Sequence, residues 1–576
     1  MNTKLRILII VQAVIMSVVF MGCAAPELRD TYGKASLSES VRPDDLDSLY
    51  SYPDDVLVLY LTVGRGKTEA GAHTWREINS HDLDYYEKAG QEIYECGALV
   101  QFGNEEGPTS DRFGYGDVSE NATVRLTGSK ASEKQQKSYR IKINKGSGNM
   151  DGMKTLILNK SFTDPFRFTD KLSFDLMRET DEMMSIRTRF VHLYVRDEYE
   201  GEELFTDYGL YTMMEPVNKK YLSNRSIDST GELYKLNDFD FARHEDVILN
   251  PTDARYDQKR FEELLESKGS NDHTKLIKML DALNAPDASI EDVVDTYFDK
   301  ENLYSFMAFN LLTDNVDTDT ENMYLYSPTG TDRFFIIPWD QDGALRSDYE
   351  LVKDPGYVRN WEKGIYLYTD SKLFGSIVKS RHCVDDLSVY IAKYHDGVLS
   401  GNNVLKKALS LSSIIKPYIY ELPDRTYARV TEREYDELIS MLPEQMDNNY
   451  YAYYDSLETP WPFHIMKPEN DSGRIRFSWE DSTVLEGDVT YKFELSNTWD
   501  FANVIETAEG LTDSEYSMDK LSEGQYFVRV RAVSSSGLTQ EAYEFYNTEI
   551  KTRVNGVLCF YVLGDGTVET QIFEEQ

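Results

Sequence analysis

The sequence has few cysteines, and their spacing favours neither a metal site nor a disulfide framework. It contains 4 cysteines, and Cys96, Cys383 and Cys559 lie too far apart in sequence for a zinc knuckle. We therefore predict that these three are buried free thiols. The 8 histidines form no HxxxH or HExxH pair, which argues against a zinc hydrolase.

Positive charge is also scarce in this chain. It carries 61 Lys and Arg against 100 Asp and Glu, a formal net charge of −39. Binding to a nucleic acid backbone needs a basic face, so we predict no nucleic-acid partner. The composition suits a soluble surface outside the cytoplasm, and equally a protein that holds divalent cations. With 576 residues, the chain is long enough for two or more domains.

The N-terminus has the pattern of a secretory signal. Lys4 and Arg6 precede an apolar run, and a small residue precedes Cys23. Gly22–Cys23 resembles a bacterial lipobox, although Phe20 replaces the more usual leucine. We predict a signal peptide at 1–22 and a lipid on Cys23 that tethers the protein to the membrane, outside the cytoplasm. Plain secretion and an uncleaved anchor are the alternatives. Residues 23–51 would be a linker.

Apolar periodicity predicts an α+β protein. A mostly β region with one inserted helix precedes a helical region that begins near 217. NLYSFMAFNLL (302–312) is apolar on nearly all sides, which predicts a buried helix, and MYLYS and RFFIIPW then predict a β-hairpin. Residues 350–450 are again helical. The strands predicted upstream are 55–63, 122–144 with a polar loop, 154–159, 189–195 and 208–216, and the inserted helix is 170–180.

The character of the sequence changes near residue 457. Short alternating strands follow at the spacing of a small β-sandwich. The Trp479 strand and the run from Leu521 to Ala532, LSEGQYFVRVRA, resemble a fibronectin type III domain over 458–552. Such a module would contact a partner in the cell envelope. The tail, 553–576, could add one more hairpin.

Two acidic loops flank the predicted hairpin. Asp317 and Asn322 follow the buried helix, and Asp340 and Asp342 follow the second strand of the hairpin. Phosphoryl transfer needs a carboxylate that orients the hydroxyl nucleophile and hard oxygen ligands for Mg²⁺ or Mn²⁺. Protein kinases place these groups in the same order, and a hairpin would bring both loops to one metal.

The upstream region supplies positive charge for phosphates. Lys137, Arg140 and Lys142 lie on or beside one strand, and each could contact a nucleotide, with Lys137 or Lys142 favoured. Glu215 ends a later strand, where it could form structural hydrogen bonds or face a nucleotide. Asp175, on the inserted helix, could pair with the basic strand or lie on a solvated helix face.

These segments resemble the spore-coat protein H (CotH) kinase family, a family of atypical secreted kinases with a divergent bilobal fold. The resemblance rests on NVDTDTENMYLY, FFIIPWDQD, KSYRIKI, KLSFDLM and YGLYTMMEPVNKKYL, and it covers about residues 52–455. It implies that Asp317 is the catalytic base and that Asn322, Asp340 and Asp342 bind the metal. It also implies ATP as phosphoryl donor, Mg²⁺ or Mn²⁺ as cofactor and a protein hydroxyl as acceptor.

The chain departs from the family pattern and leaves other functions open. Thr127 stands where the family often has the arginine of an R-G-x-S motif, and the chain has no G-x-G-x-x-G, H-R-D or D-F-G motif. The acidic residues could be turn formers. An EF-hand that starts at Asp317 is disfavoured because it needs Gly at 322 and Glu at 328, where the chain has Asn322 and Pro328. The alternative function is a catalytically silent adhesin or scaffold on the same fold.

Overall fold

The computed structural model describes most of the chain beyond its N-terminal segment. The described residues are 49–52, 54–64, 72–316, 318–345, 363–369, 371–471, 473–548 and 552–571. The predicted signal peptide, Cys23, most of the linker and Asp317 lie outside them. No helix within the described ranges is both long and apolar enough to cross a membrane.

The chain divides into two compact units. The first contains the chain up to residue 310 together with 320–344 and 381–446, and the second contains 311–319, 345–380 and 447 onward. The predicted fold class is confirmed: the first unit mixes helices with antiparallel-rich sheets, and the C-terminal part of the second is all β.

An eight-stranded sheet dominates the first unit. Its order is β1-β7-β8-β6-β5-β4-β2-β3, and β1 also pairs with β2, so the ring of pairings closes. The β1–β7 pair is parallel. Alternate residues of the strands point inward and fill the closed sheet with apolar side chains such as Leu59, Val124 and Ile141. The strands are Val56–Gly64, Cys96–Asn104, Gly107–Pro108, Ala122–Thr127, Ser138–Ile143, Thr155–Asn159, Thr188–Asp197 and Thr206–Met214.

A second, four-stranded antiparallel sheet lies in the same unit, in the order β10-β9-β11-β12. Its hairpin, β11–β12, is the predicted one. The sequence predicted helices from residue 217 onward, and strands β9 and β10 correct that prediction. Leu264 and Leu265 suit either a helix or a strand. The chain continues as a strand after Leu264 because β10 pairs with β9. The strands are Glu232–Leu236, Leu265–Ser267, Met323–Ser327 and Phe335–Pro338.

Thirteen α-helices are found among the described residues. The predicted buried helix is α9, in which Leu303, Met307 and Phe309 are fully buried. The helices α1 to α13 are Trp75–Ile78, Leu83–Ala89, Ser129–Ser132, Thr169–Met177, Lys219–Asn224, Gln258–Leu264, Thr274–Leu283, Ile290–Tyr297, Lys300–Thr313, Lys372–Lys379, Arg381–Asp396, Gly401–Ile419 and Glu432–Glu458, and two 3₁₀ helices are Gly364–Tyr368 and Asp424–Tyr427.

The C-terminal part of the second unit consists of short antiparallel strands around a main apolar core and a smaller cluster that contains Phe501 and Phe527. The main core contains Trp479, Phe493 and Phe560. The tail is not separate from it, because β22 pairs with β18. Cys96, Cys383 and Cys559 are free and buried, as predicted. The strands β13 to β23 are Glu469–Asp471, Arg474–Ser478, Val489–Ser496, Val504–Leu511, Glu515–Asp519, Gly524–Ser534, Thr539–Glu541, Phe545–Asn547, Arg553–Asn555, Val557–Val562 and Val568–Thr570.

Candidate active site

The β11–β12 hairpin brings Asn322 and Asp340 to the same end of the sheet. Met323 pairs with Pro338, and the backbone N–H of Trp339 donates to the carbonyl of Asn322 at 2.9 Å. Asn322 and Asp340 have φ values of 58° and 47°, in the left-handed region that Asn and Asp tolerate better than most residues. The chain therefore turns sharply at both positions, where the two polar loops leave the strands.

A buried carboxylate holds the second acidic loop. Asp170, in the first turn of α4, is 1% exposed. Its Oδ1 accepts a hydrogen bond from the backbone N–H of Gln341 at 2.8 Å, and its Oδ2 accepts one from Nδ2 of Asn159 at 2.9 Å. Gln341 lies between Asp340 and Asp342, so these bonds fix both aspartates relative to the end of β6.

Sequence reasoning missed Asp170 and considered Asp175 on the same helix instead. Asp175 accepts a hydrogen bond from Lys171 of its own helix at 2.9 Å, and burial raises its pKa against the opposing effect of Lys171. Asp170 was hard to recognise as a site residue from the sequence, since an acidic residue in the first turn of a helix is common. The N159-K-S-F-T-D164 segment before the helix, which is rich in polar residues, was the available hint.

Negative charge is concentrated around this loop. Burial raises the pKa of Asp170 well above its usual range, and the charges of Asp340 and Asp342 raise it further. Asp164 is also affected: burial raises its pKa, with a contribution from Asp342. Thr163 Oγ1 donates to Oδ2 of Asp342 at 3.3 Å. Several carboxylates in mutual electrostatic contact favour a bound cation.

The donor set fits a hard divalent cation. Carboxylate oxygens of Asp340 and Asp342 and the amide oxygen of Asn322 are the ligand types that Mg²⁺ and Mn²⁺ prefer. Within the described ranges, no three His, Cys, Asp or Glu side chains are close enough together to hold a metal as they stand. That statement covers neither Asp317, which lies outside those ranges, nor the amide of Asn322.

Arg140 is the basic candidate that the structure connects with the acidic loop. In β5, Tyr139 and Ile141 are buried in the core, so Arg140 points to the other face. The pKa of Tyr324, in β11, is raised by burial, by Glu266 and by Asp340, and Arg140 lowers it. In the β5–β6 pair, Arg140 lies opposite Ile157, two residues before Asn159, and the side chain of Asn159 binds the same Asp170 that holds Gln341.

The other two basic candidates have different surroundings. Lys137 donates through Nζ to the carbonyl of Ser132, and burial lowers its pKa. Lys142 lies on the same face of β5 as Arg140 but is exposed. In the β5–β6 pair, Arg140 lies opposite Ile157 and Lys142 lies opposite Thr155, so Arg140 is the nearer of the two to Asn159, whose side chain binds Asp170.

Glu215 lies in a buried ion-pair network. Its Oε1 is 2.7 Å from Nη2 of Arg187, and its Oε2 is 2.8 Å from Nη2 of Arg225. Burial alone would raise the pKa of Glu215, but Arg225 and Arg187 lower it to about 2. The sequence left two roles open for Glu215, structural hydrogen bonding and contact with a nucleotide. The structure shows Glu215 in structural hydrogen bonds.

Comparison with known proteins now adds to this geometry. A family model described as CotH kinase protein matches residues 124–453. The chain belongs to the CotH kinase family. The match contains most of β4, all of β5 to β12, Arg140, Asp170 and both acidic loops. A second family model, the Ig-like domain of tip attachment protein J, matches residues 464–547, in the region for which the sequence predicted a β-sandwich.

One curated relative and two solved structures resemble parts of the chain. Inner spore coat protein H of Bacillus subtilis is 25% identical over 230 residues, which are 39% of this chain and 59% of that protein. The kinase CtkA of Helicobacter pylori is 12% identical, with 55% of this chain and 88% of that chain covered and a TM-score of 0.20. HipA of Shewanella oneidensis, from a toxin–antitoxin complex with HipB and operator DNA, is 10% identical, with 64% and 70% covered and a TM-score of 0.20. TM-scores this low support no argument about this chain.

Proposed function

We propose that this protein is an atypical protein kinase, tethered to the membrane outside the cytoplasm, that transfers the γ-phosphoryl group of ATP to protein hydroxyls. The observation that carries the proposal is the position of Asp170, which binds Gln341 and Asn159 and so holds Asp340 and Asp342 at the end of β6, the strand that pairs with β5 and Arg140. Membership of the CotH kinase family supports the same function.

Each group has a defined task in this reaction. The bond between the γ-phosphorus and the ADP oxygen breaks, and a bond forms between that phosphorus and the acceptor oxygen. The hydroxyl proton passes to Asp317, as the family resemblance implies. Arg140 would bind phosphate oxygens, and Asn322, Asp340 and Asp342 would hold Mg²⁺ or Mn²⁺, which neutralises charge on the phosphates.

Substitution of Asp340 tests the proposal. Asp340→Asn removes a charged ligand, so we expect transfer of labelled phosphate from ATP, with Mn²⁺ or Mg²⁺, to fall by about 10²-fold or more. Asp332→Asn is the matched control, because Asp332 lies in the turn at the other end of the same hairpin, with its side chain 53% exposed. Equal activity of the wild type and Asp340→Asn would contradict the proposal.

The tether to the membrane depends on Cys23. Cells that express the full chain with labelled palmitate should give a labelled protein that sediments with membranes, and Cys23→Ser should abolish both. Membrane association that survives this substitution, without label in the wild type, would contradict lipidation at Cys23.

A catalytically silent surface scaffold is the second candidate. It is favoured by the apolar side chains exposed on the Ig-like region: Trp499, Val504 and Ile505 are 42%, 42% and 41% exposed. Thermal unfolding with ATP and Mn²⁺ separates the two functions. A ligand at 100 times its Kd stabilises a folded protein by about 2.7 kcal/mol, whereas a scaffold without a nucleotide site shows no shift.

A further inference from the structure

Two arginines lie opposite each other on the outer face of the closed sheet. In the antiparallel pair β4–β5, Arg125 is the direct partner of Arg140. Directly opposite residues of such a pair have Cβ atoms about 5 Å apart, and like charges in that arrangement destabilise the sheet. Arginine keeps its charge at any physiological pH, so deprotonation does not relieve the repulsion.

Few negative groups compensate this pair. Glu95 lies 3.8 Å from Nε of Arg125, at the outer limit of an ion pair. Among the described residues, Nε of Arg125 is buried without a hydrogen-bond partner, and no hydrogen bond or salt bridge to the Arg140 guanidinium is found. Burial lowers the pKa of Arg125, Arg140 lowers it further, and Glu95 and Glu266 oppose the shift.

The pair lies beside the residue that anchors the acidic loop. In the β5–β6 pair, Arg140 is opposite Ile157, and Asn159 lies two residues further along the same face of the sheet. The side chain of Asn159 donates to Asp170, which also accepts from the backbone N–H of Gln341 between Asp340 and Asp342. Arg125 belongs to the next strand but lies opposite Arg140 on this face. Guanidinium forks match phosphate oxygens in bidentate geometry, and two adjacent forks suit two neighbouring phosphate groups.

We infer that Arg125 and Arg140 form a two-arginine receptor for the polyphosphate chain of the phosphoryl donor. The inference rests on the proposed function and deepens it: the donor is recognised through two or more linked phosphates, and Arg125 is a binding residue for them. A donor with one phosphate would engage only part of the receptor. Bound polyphosphate would also relieve the repulsion between the two arginines.

Calorimetric binding to residues 24–576 tests the receptor with ATP, AMP and inorganic triphosphate. Arg125→Gln should weaken binding of ATP and of triphosphate by about tenfold or more, the loss expected for one charged phosphate contact, and should change AMP binding less. Arg112→Gln is the matched control, since Arg112 follows β3 and, within the part of the chain that the structure describes, its one ion-pair partner is the exposed Asp111, at 3.5 Å. The control should bind all three as the wild type does.

The outcomes separate this inference from the proposed function. If the wild type binds ATP and Arg125→Gln binds it equally well, the receptor is wrong and the kinase proposal stands. If the wild type binds triphosphate through Arg125 but ATP shows no binding, the receptor stands and the kinase proposal fails. If neither ligand binds, both are overturned.

Stability of the ligand-free protein gives an independent readout. Removing one of two repelling charges should leave the melting temperature of Arg125→Gln no lower than that of the wild type. If Arg125→Gln does not fold, Arg125→Lys replaces it in the binding test, because lysine keeps the positive charge but cannot bind phosphate in the bidentate geometry of a guanidinium group. Triphosphate binding by Arg125→Lys that equals the wild type would overturn the two-arginine receptor.

Discussion

Single residues of this protein show how burial and neighbouring charge determine chemical role. Glu215 and Asp170 are both buried carboxylates, 2% and 1% exposed. Two arginines lower the pKa of Glu215, whereas burial and two further carboxylates raise that of Asp170. The first arrangement is a satisfied ion-pair network, and the second favours a cation.

His192 provides a test at the residue scale. Its two ring nitrogens lie 3.0 Å from Oε1 of Glu105 and 2.8 Å from Oδ1 of Asp207. Both nitrogens can donate only when the ring is protonated. Burial lowers the pKa of His192, but the bonds to Asp207 and Glu105 outweigh burial and raise it overall.

Because the pKa of His192 is raised in the folded protein, the stabilisation from its two hydrogen bonds is fully present below the unfolded-state pKa of about 6.5. This stabilisation is lost as the pH rises through the pKa of His192 in the folded protein. We expect the free energy of unfolding around β7 to fall by on the order of 1 kcal/mol over that range, measured by native-state hydrogen exchange. His192→Gln should flatten this dependence, and His464→Gln, at an exposed histidine, should not. An unchanged slope in His192→Gln would contradict the assignment.

The helices and strands determine where the candidate site residues lie, and most of these elements were predicted from the sequence. Alternation in β5 and the all-apolar face of α9 are strong local signals, and the hairpin follows from two short apolar runs around a turn. The sequence did not predict β9 and β10, which have five and three residues, because such short strands depend on partners elsewhere in the chain. The hydrogen bond from Gln341 to Asp170 was equally unpredictable, since it joins residues 171 positions apart.

The tie between α4 and the acidic loop gives a test at the element scale. Asp170→Ala removes the acceptor for Gln341 N–H and Asn159, so the loop loses its fixed position. We expect the affinity for Mn²⁺ to fall by about 10- to 100-fold, as for other residues that orient metal ligands, measured by electron paramagnetic resonance. Asp175→Ala, on the same helix, should bind Mn²⁺ like the wild type. A wild-type affinity in Asp170→Ala would exclude the positioning role.

At the scale of the whole molecule, a kinase-family region is joined to an Ig-like region in one acidic chain. The family match begins at residue 124, yet β1 pairs with β2 and β7 of the same sheet, so the folded region extends upstream of the match. At the other end, β22 joins the sheet of β18 beyond the Ig-like match. Sequence alternation indicated the C-terminal strands but not these distant pairings, which decide where each region ends.

A co-crystal structure of residues 24–576 with a non-hydrolysable ATP analogue and Mn²⁺ tests the central claim most directly. The account predicts anomalous density for Mn²⁺ within bonding distance of the Asp340 carboxylate, with phosphate oxygens on the Arg140 guanidinium. Manganese and nucleotide bound elsewhere, with Asp340 and Arg140 contacting neither, would contradict it.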